Sequence, residues 1–378
     1  MNKYIYLIIL KLYPVHTYTL QIPAVVTTPV TDALGSSISH TPNIDKFYHE
    51  ELYAYGPQTP DIFRIHQLLF NEPVTIVKKH KKQYLISVKN STFFDPLGKE
   101  TSLMWVLSSS ITPLNAIDTK NYYALPSKTD CPTCVLVRPI VDPETGIIYS
   151  AGTHCVIAHN PDSIYLYNHK TNTVKTVKIP SISYRINSPT ESIENKRKLF
   201  VELAREWAAP HTSGYIPYVW GGSSYTQRVS GDFISTSSGY RWNSTYQEAV
   251  CGGCDCTGLV LRLAHTAGIP YTCKNSSAVA KLLKKITHYL DIQEGDIVWI
   301  PGHVMIISDL NKNTLIEARH YTQGYGRVHE IPVSDAFMDI CTLQDLMDIQ
   351  NSRGSVQRRH RNGSPLARVP VAFYSLVQ

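Results

Sequence analysis

The chain has 378 residues, 43% apolar and 17% charged, with a formal net charge of +6. That apolar fraction excludes wholesale disorder, and the length suffices for two or three domains with cores of their own. Its 23 prolines, 20 glycines and 24 tyrosines favour short strands and turns over a long helical bundle, and the mild charge excess lacks the clustered Lys and Arg of a nucleic-acid binder.

The first apolar run, Tyr4–Leu10, is far short of the roughly 20 residues that span a bilayer. It follows Lys3 and precedes small residues near Pro23-Ala24, so residues 1–24 carry a weak secretory pattern. Export is the expectation; an ordinary first strand, with a cytoplasmic protein, is the alternative.

Residues 25–115 read as an all-β module. Val74–Val77, Tyr84–Val88 and Leu103–Ser108 are strand-like, and the basic turn His80-Lys81-Lys82 separates the first two. Residues 116–187 repeat the style, with runs at Cys134–Val137, Thr153–Ala158, Ser163–Tyr167 and Thr173–Val177 and turns at Asn160-Pro161-Asp162 and Asn168-His169-Lys170. Turns this frequent fit small barrels or sandwiches.

After the polar link Ser188–Ser192 the periodicity changes. Helices are expected at Glu191–Ala208, at Thr257–Ala267 with Asp255 as N-cap and Gly268 as its stop, and at Ser276–Ile286. Strands follow at Asp296–Ile300, His303–Ser308, Thr314–Ala318 and Val369–Leu376. The basic run Arg358-Arg359-His360-Arg361 reads as a solvated loop rather than a patch for an anionic polymer.

Eight cysteines stand at positions 131, 134, 155, 251, 254, 256, 273 and 341. Cys131-x-x-Cys134 and Cys251-x-x-Cys254 have zinc-ligand spacing, but neither has a second pair at finger distance, which disfavours zinc. Free thiols and one or two disulfides both stay open.

The chemistry points to Cys256. A cysteine in the first turn of a helix meets outward-facing N–H groups; the positive helix end lowers its pKa, and those groups can hold an oxyanion. It needs a histidine base and a polar group to orient that base. His303 opens an apolar strand after Pro301-Gly302, and Glu317 is the polar residue of the next strand. Glu317 is the expected orienting group and His320 the alternative. Taken singly, each residue also has a plain structural reading: a small buried thiol, a structural histidine, a surface carboxylate.

Four segments occur in order: Pro217-Tyr218-Val219-Trp220-Gly221-Gly222, Asp255-Cys256-Thr257-Gly258-Leu259-Val260, Gly295-Asp296-Ile297-Val298-Trp299 and Gly302-His303-Val304. Together, over about residues 195–335, they resemble the motifs of the NlpC/p60 cysteine peptidases. The resemblance implies an α+β fold. A papain-like NlpC/p60 catalytic domain would cover 188–378, with an insert at 223–253, preceded by two small all-β SH3-like barrels at 25–115 and 116–187. It implies Cys256 as nucleophile, His303 as base and Tyr218 as an aid to the oxyanion. Asp255 and Thr257 would hold the amine and backbone of a free N-terminal L-Ala, with Trp220 as a further substrate-binding residue. Glu317 departs from the family's third residue, which is more often His, Asn or Gln and lies slightly closer to the base.

Paired SH3-like domains ahead of such a domain resemble the γ-D-glutamyl-L-diamino-acid endopeptidases. The resemblance thus implies a monomeric cysteine hydrolase, secreted or in the cell envelope. It would cut peptidoglycan stem peptides or muropeptides, with no metal, no cofactor, no membrane span and no nucleic-acid partner. An N-acetylmuramoyl-L-alanine amidase, another amide acyltransferase and an inert wall-binding protein are the alternatives. The insert carries Tyr225, Phe233, Tyr240, Trp242 and Tyr246 and reads equally as a lid over the site or as a surface excursion. Cys251 and Cys254, at its end, would pair with each other or attack an oxidised Cys256.

Overall fold

The computed structural model describes residues 21–38, 64–228, 234–236, 239–241, 252–320 and 324–377, less positions 96, 161, 187 and 189. Most of the segment 1–24, Cys251 and most of the 223–253 insert lie outside the described residues.

The first β-rich stretch folds into a seven-stranded antiparallel sheet. Its strands are β1 (Ile22–Val26), β2 (Val30–Leu34), β3 (Arg64–Leu69), β4 (Pro73–His80), β5 (Gln83–Ser87), β6 (Leu103–Leu107) and β7 (Ile111–Pro113), in the order β3-β2-β6-β5-β4-β1-β7. Val26, Leu68, Ile76, Ile86, Met104 and Val106 fill its core. The second stretch gives a five-stranded antiparallel sheet of β8 (Thr133–Leu136), β9 (His154–Ile157), β10 (Ser163–Asn168), β11 (Thr173–Lys178) and β12 (Tyr184–Ile186), in the order β11-β10-β9-β8-β12. Val25 and Phe70 of the first stretch enter the second core beside Leu136, Ile164 and Leu166, so the two sheets share apolar surface. Cys134 faces Cys155 across β8 and β9, both as buried free thiols, whereas Cys131 is exposed.

The third region combines helices α1 (Ile193–Ala208), α2 (Cys256–Ala267) and α3 (Ser276–Leu282) with a six-stranded antiparallel sheet. Its strands are β13 (Lys285–Ile286), β14 (Ile297–Ile300), β15 (His303–Asp309), β16 (Thr314–Arg319) and β17 (Arg327–Pro332). After α4 (Leu343–Asn351) comes a hairpin of β18 (Val356–Arg359) and β19 (Pro365–Val369). The strand β20 (Ala372–Tyr374) then returns to the sheet, giving the order β13-β20-β14-β15-β16-β17. The third helix is shorter than its sequence suggests. It stops at Leu282 because Lys285 and Ile286 pair with Tyr374 and Phe373 as the sheet edge.

β15 and β16 are buried on both faces, as their near-continuous apolar runs require. Val304, Ile306, Ile316 and Ala318 pack with Trp207 of α1 and Leu259 and Leu263 of α2. Met305, Ile307 and Leu315 pack with Leu343, Met347 and Val356 from α4 and the hairpin. Asp296, of the Gly-Asp-Ile-Val-Trp block, is 1% exposed and ties this core together. It accepts from Arg197 of α1 at 2.6 Å, from the Gln293 N–H at 2.8 Å and from the Leu376 N–H at 3.1 Å.

The three sheets meet at Arg262, on the helix that begins with Cys256. This guanidinium is 1% exposed, so every N–H needs an acceptor. It donates to Glu72 at 2.6 Å, to the Ser223 carbonyl at 2.7 Å and to the Gln67 carbonyl at 3.2 Å. Gly152, which follows β8 and precedes β9, lies so close that a Cβ there would stand 2.3 Å from Arg262 Cδ. Arg262→Ala strands a carboxylate and two carbonyls. It is expected to lower unfolding free energy by about 3 kcal/mol in urea denaturation; a loss under about 1 kcal/mol would show that the charge pair holds little.

Candidate active site

The glycines of two motifs explain how Cys256 is held. Pro217–Gly222 runs beside 252–255: the Cys254 N–H donates to the Pro217 carbonyl at 3.1 Å and the Asp255 N–H to the Gly222 carbonyl at 3.1 Å. A Cβ on Gly258 would sit 1.8 Å from the Gly222 oxygen, and one on Gly222 would sit 2.4 Å from the Gly253 oxygen. Only hydrogen fits at either place. The start of α2 is thereby pressed against the segment that carries Tyr218. Asp255 caps the helix, its Oδ1 accepting from the Gly258 N–H at 2.5 Å.

Tyr218, Trp220, Cys256, His303, Arg319, His320 and Arg358 line one cleft of about 490 Å³, with the Ile300–Gly302 turn and Leu366, Ala367 and Val369 of the hairpin as its other walls. The hydroxyl-bearing ring of Tyr218 is 6% exposed and Trp220 is 39% exposed. Arg64 of the first sheet donates to the Trp220 carbonyl at 3.2 Å, so β3 supports this wall.

His303 Nε2 donates to Glu317 Oε2 at 2.6 Å. Glu317 is fully buried and is also reached by His329 Nε2 at 3.1 Å and by Arg358 Nη2 at 2.8 and 3.0 Å. His329 stands directly opposite Glu317 in the β16–β17 register. Burial pushes the Glu317 carboxyl up, but the Arg358 charge, the His303 hydrogen bond and Arg319 outweigh it and hold the group well below the usual carboxylate range. An ionised Glu317 only accepts, so the proton of His303 sits on Nε2 and its Nδ1 is left as a base. Burial lowers the His303 pKa despite the hydrogen bond from its ring to Glu317. The resting ring is neutral at neutral pH.

His320, the alternative orienting residue, lies elsewhere. Its ring packs edge-on against Tyr218, with centroids 5.3 Å apart, and against Trp220 at 6.4 Å. Burial pushes its pKa down to about 4.

Two expectations need correction. The helix end does not give Cys256 a low pKa: burial, with the Asp255 charge adding to it, pushes the thiol up to about 12 against the N–H groups of Val304 and Thr257. The basic run is not a solvated loop, since Arg358 lies on β18, 3% exposed, and is the counter-ion of Glu317. Asp255 and Thr257 are both held by Lys274. The Asp255 carboxylate pairs with the buried Lys274 at 2.9 Å, and the Thr257 hydroxyl is 2.7 Å from the Lys274 carbonyl. His329 and Lys274 were not singled out in the sequence, and Arg358 was read there only as part of a solvated run. Only the alternation Val356-Gln357-Arg358 hinted at an inward arginine.

Among the described residues no group of three or more His, Cys, Asp or Glu is gathered to hold a metal, and no helix is long and apolar enough to cross a membrane. No protein-family model matches the chain, and no curated protein does. Among solved structures it is similar to an NlpC/p60 family protein from Bacillus cereus, at 14% identity and TM-score 0.54 over 82% of this chain and 94% of that one. It is also similar to NlpC2 and NlpC1 from Trichomonas vaginalis, each at 12% identity and TM-score 0.33 over 83% of this chain and 93% and 89% of theirs. The Bacillus likeness is one of fold.

Two outcomes follow. Because the folded pKa of Glu317 is depressed, its contribution to stability is whole above about pH 4.3, the unfolded value, and is lost as pH falls through the folded value. Glu317→Gln leaves Arg358 without a counter-ion, and a loss of about 3 kcal/mol at pH 7, shrinking in acid, is expected from urea titrations. Iodoacetamide alkylation of Cys256 should keep accelerating to about pH 10. A plateau below about pH 8 would reveal a thiolate already formed.

Proposed function

We propose that the protein is a cysteine hydrolase of cell-wall peptides that cuts the bond between γ-D-glutamate and a diamino acid. The observation that carries this is Cys256 at the head of a buried helix, sharing a cleft with His303 that Glu317 orients. The four ordered motifs and the NlpC/p60-like fold support it. In this reading 188–378 is a papain-like catalytic domain and 25–115 and 116–187 are SH3-like modules, the first bracing the cleft through Arg64. A substrate drawn from the cell wall fits a protein that acts outside the cytoplasm.

The mechanism follows from the protonation states. Cys256 Sγ attacks the γ-carbonyl while its proton passes to His303 Nδ1, and Glu317 stabilises the imidazolium that forms. Backbone N–H groups at the start of α2 and the Tyr218 hydroxyl meet the oxyanion. His303 then protonates the leaving amine, and afterwards deprotonates the water that opens the thioester. A thiol with a raised pKa puts the whole burden of deprotonation on His303.

The Asp255–Lys274 pair favours a second reading, an amidase on the same fold acting on substrates without a free amine. Incubation with L-Ala-γ-D-Glu-L-Lys and its meso-diaminopimelate counterpart, each with and without N-acetylation, separates the two by the masses of the products. Cys256→Ala is expected to abolish cleavage, and retained activity would sink the mechanism. Tyr218→Phe should reduce kcat about 10²-fold with little change in KM. Since the His303 pKa lies below its ordinary value, the acid limb of kcat/KM is expected below about pH 6.5.

A further inference from the structure

One charge in the cleft has no answer among the described residues. The lining holds two guanidinium groups, Arg319 and Arg358, and no carboxylate. Behind the wall, Glu317 supplies a single negative charge, ion-paired with Arg358 and also acting on Arg319. His303, His320 and His329 are each shifted toward the neutral form, so they neither add to the balance nor offset it. Arg319 is 7% exposed and lies beside Arg358. No described carboxylate forms an ion pair with it.

The side chain is also built into place. Gly324 lies over its stem so closely that a Cβ there would stand 2.5 Å from Arg319 Cγ and 2.7 Å from Cδ. The same turn closes through the Gly326 N–H on the Arg319 carbonyl at 3.0 Å and the Gly324 N–H on the His320 carbonyl at 2.7 Å. A clamped guanidinium has already lost its rotamer freedom, which is the condition for binding an anion tightly. Two guanidinium groups that share one buried carboxylate among the described residues leave an excess positive charge in the cleft wall, which calls for a ligand that brings an anion.

We propose that Arg319 is the specificity residue of the cleft, and that it binds a carboxylate of the substrate flanking the scissile amide. The inference rests on the hydrolase reading above. A γ-linked glutamyl residue leaves its α-carboxylate free, and the diamino acid carries a second one; both are planar groups that a guanidinium grips with two parallel hydrogen bonds.

The test uses the full chain and three peptides: L-Ala-γ-D-Glu-L-Lys, the same peptide with the glutamyl α-carboxylate amidated, and the same peptide with the lysyl carboxylate amidated. The wild type is expected to favour the free acid over one amide by about 10–100-fold in kcat/KM, and the disfavoured amide identifies the carboxylate bound. In Arg319→Gln that preference should collapse toward one, with the loss on the free acid expressed mainly in KM. Arg319→Lys, which keeps the charge without the fork, should retain part of the preference and serves as the deciding variant if thermal melting shows the Gln form unfolded. Equal cleavage of all three peptides by the wild type, or an equal loss on all three in either variant, would overturn the assignment. No cleavage of any peptide by the wild type would instead overturn the hydrolase reading, and this one with it.

Discussion

A carboxylate shut away from water organises this protein's cleft. Glu317 has no exposed surface, and an ion in that position persists only if donors surround it. Its donors come from three strands: His303 on β15, His329 on β17 and Arg358 on β18. None of these contacts is local in sequence. The charge therefore fixes the order of the sheet edge and draws the C-terminal hairpin over it. It also leaves the His303 ring with one orientation and one tautomer. The chemistry at the cleft inherits its geometry from that requirement.

A second constraint acts from the other side, by excluded volume. Gly222, Gly253 and Gly258 let two backbones approach to distances that no side chain permits. This contact places the head of α2 next to Tyr218. The sheet supplies the base and the glycine contact supplies the nucleophile. They converge at the end of the β14–β15 turn, where Gly302 takes a φ of 81°.

Much of this was legible in the residue pattern. The helix expected over Thr257–Ala267, one residue short of its observed start, its Asp255 cap and its Gly268 stop follow from local rules, as do β15 and β16 and the partnership of His303 with Glu317 across adjacent strands. What local rules could not supply were partners set by register or by distant chain. His329 meets Glu317 only because β17 pairs with β16 at that offset. Arg358 sits in a run of four basic side chains, a pattern that reads as solvated until a buried anion claims one of them. Depth was equally hidden: helix position argued for an acidic Cys256 thiol, but the pKa follows burial. Lys274 took the Asp255 carboxylate from 19 residues away, beyond the reach of a capping rule.

The docking of α2 through Arg262 has a consequence for how the chain holds together. The helix that presents the nucleophile is the same helix whose buried cation is satisfied by Glu72 and the Gln67 carbonyl of the first sheet. Three topologically separate sheets are thus one cooperative unit at this point. A fragment beginning near residue 190 would retain every residue of the Cys–His–Glu arrangement and yet expose a guanidinium evolved for acceptors that are no longer there. Modularity in sequence does not carry over to autonomy in folding, and recombining this C-terminal region with foreign N-terminal modules would require an acid and a carbonyl delivered to the same spot.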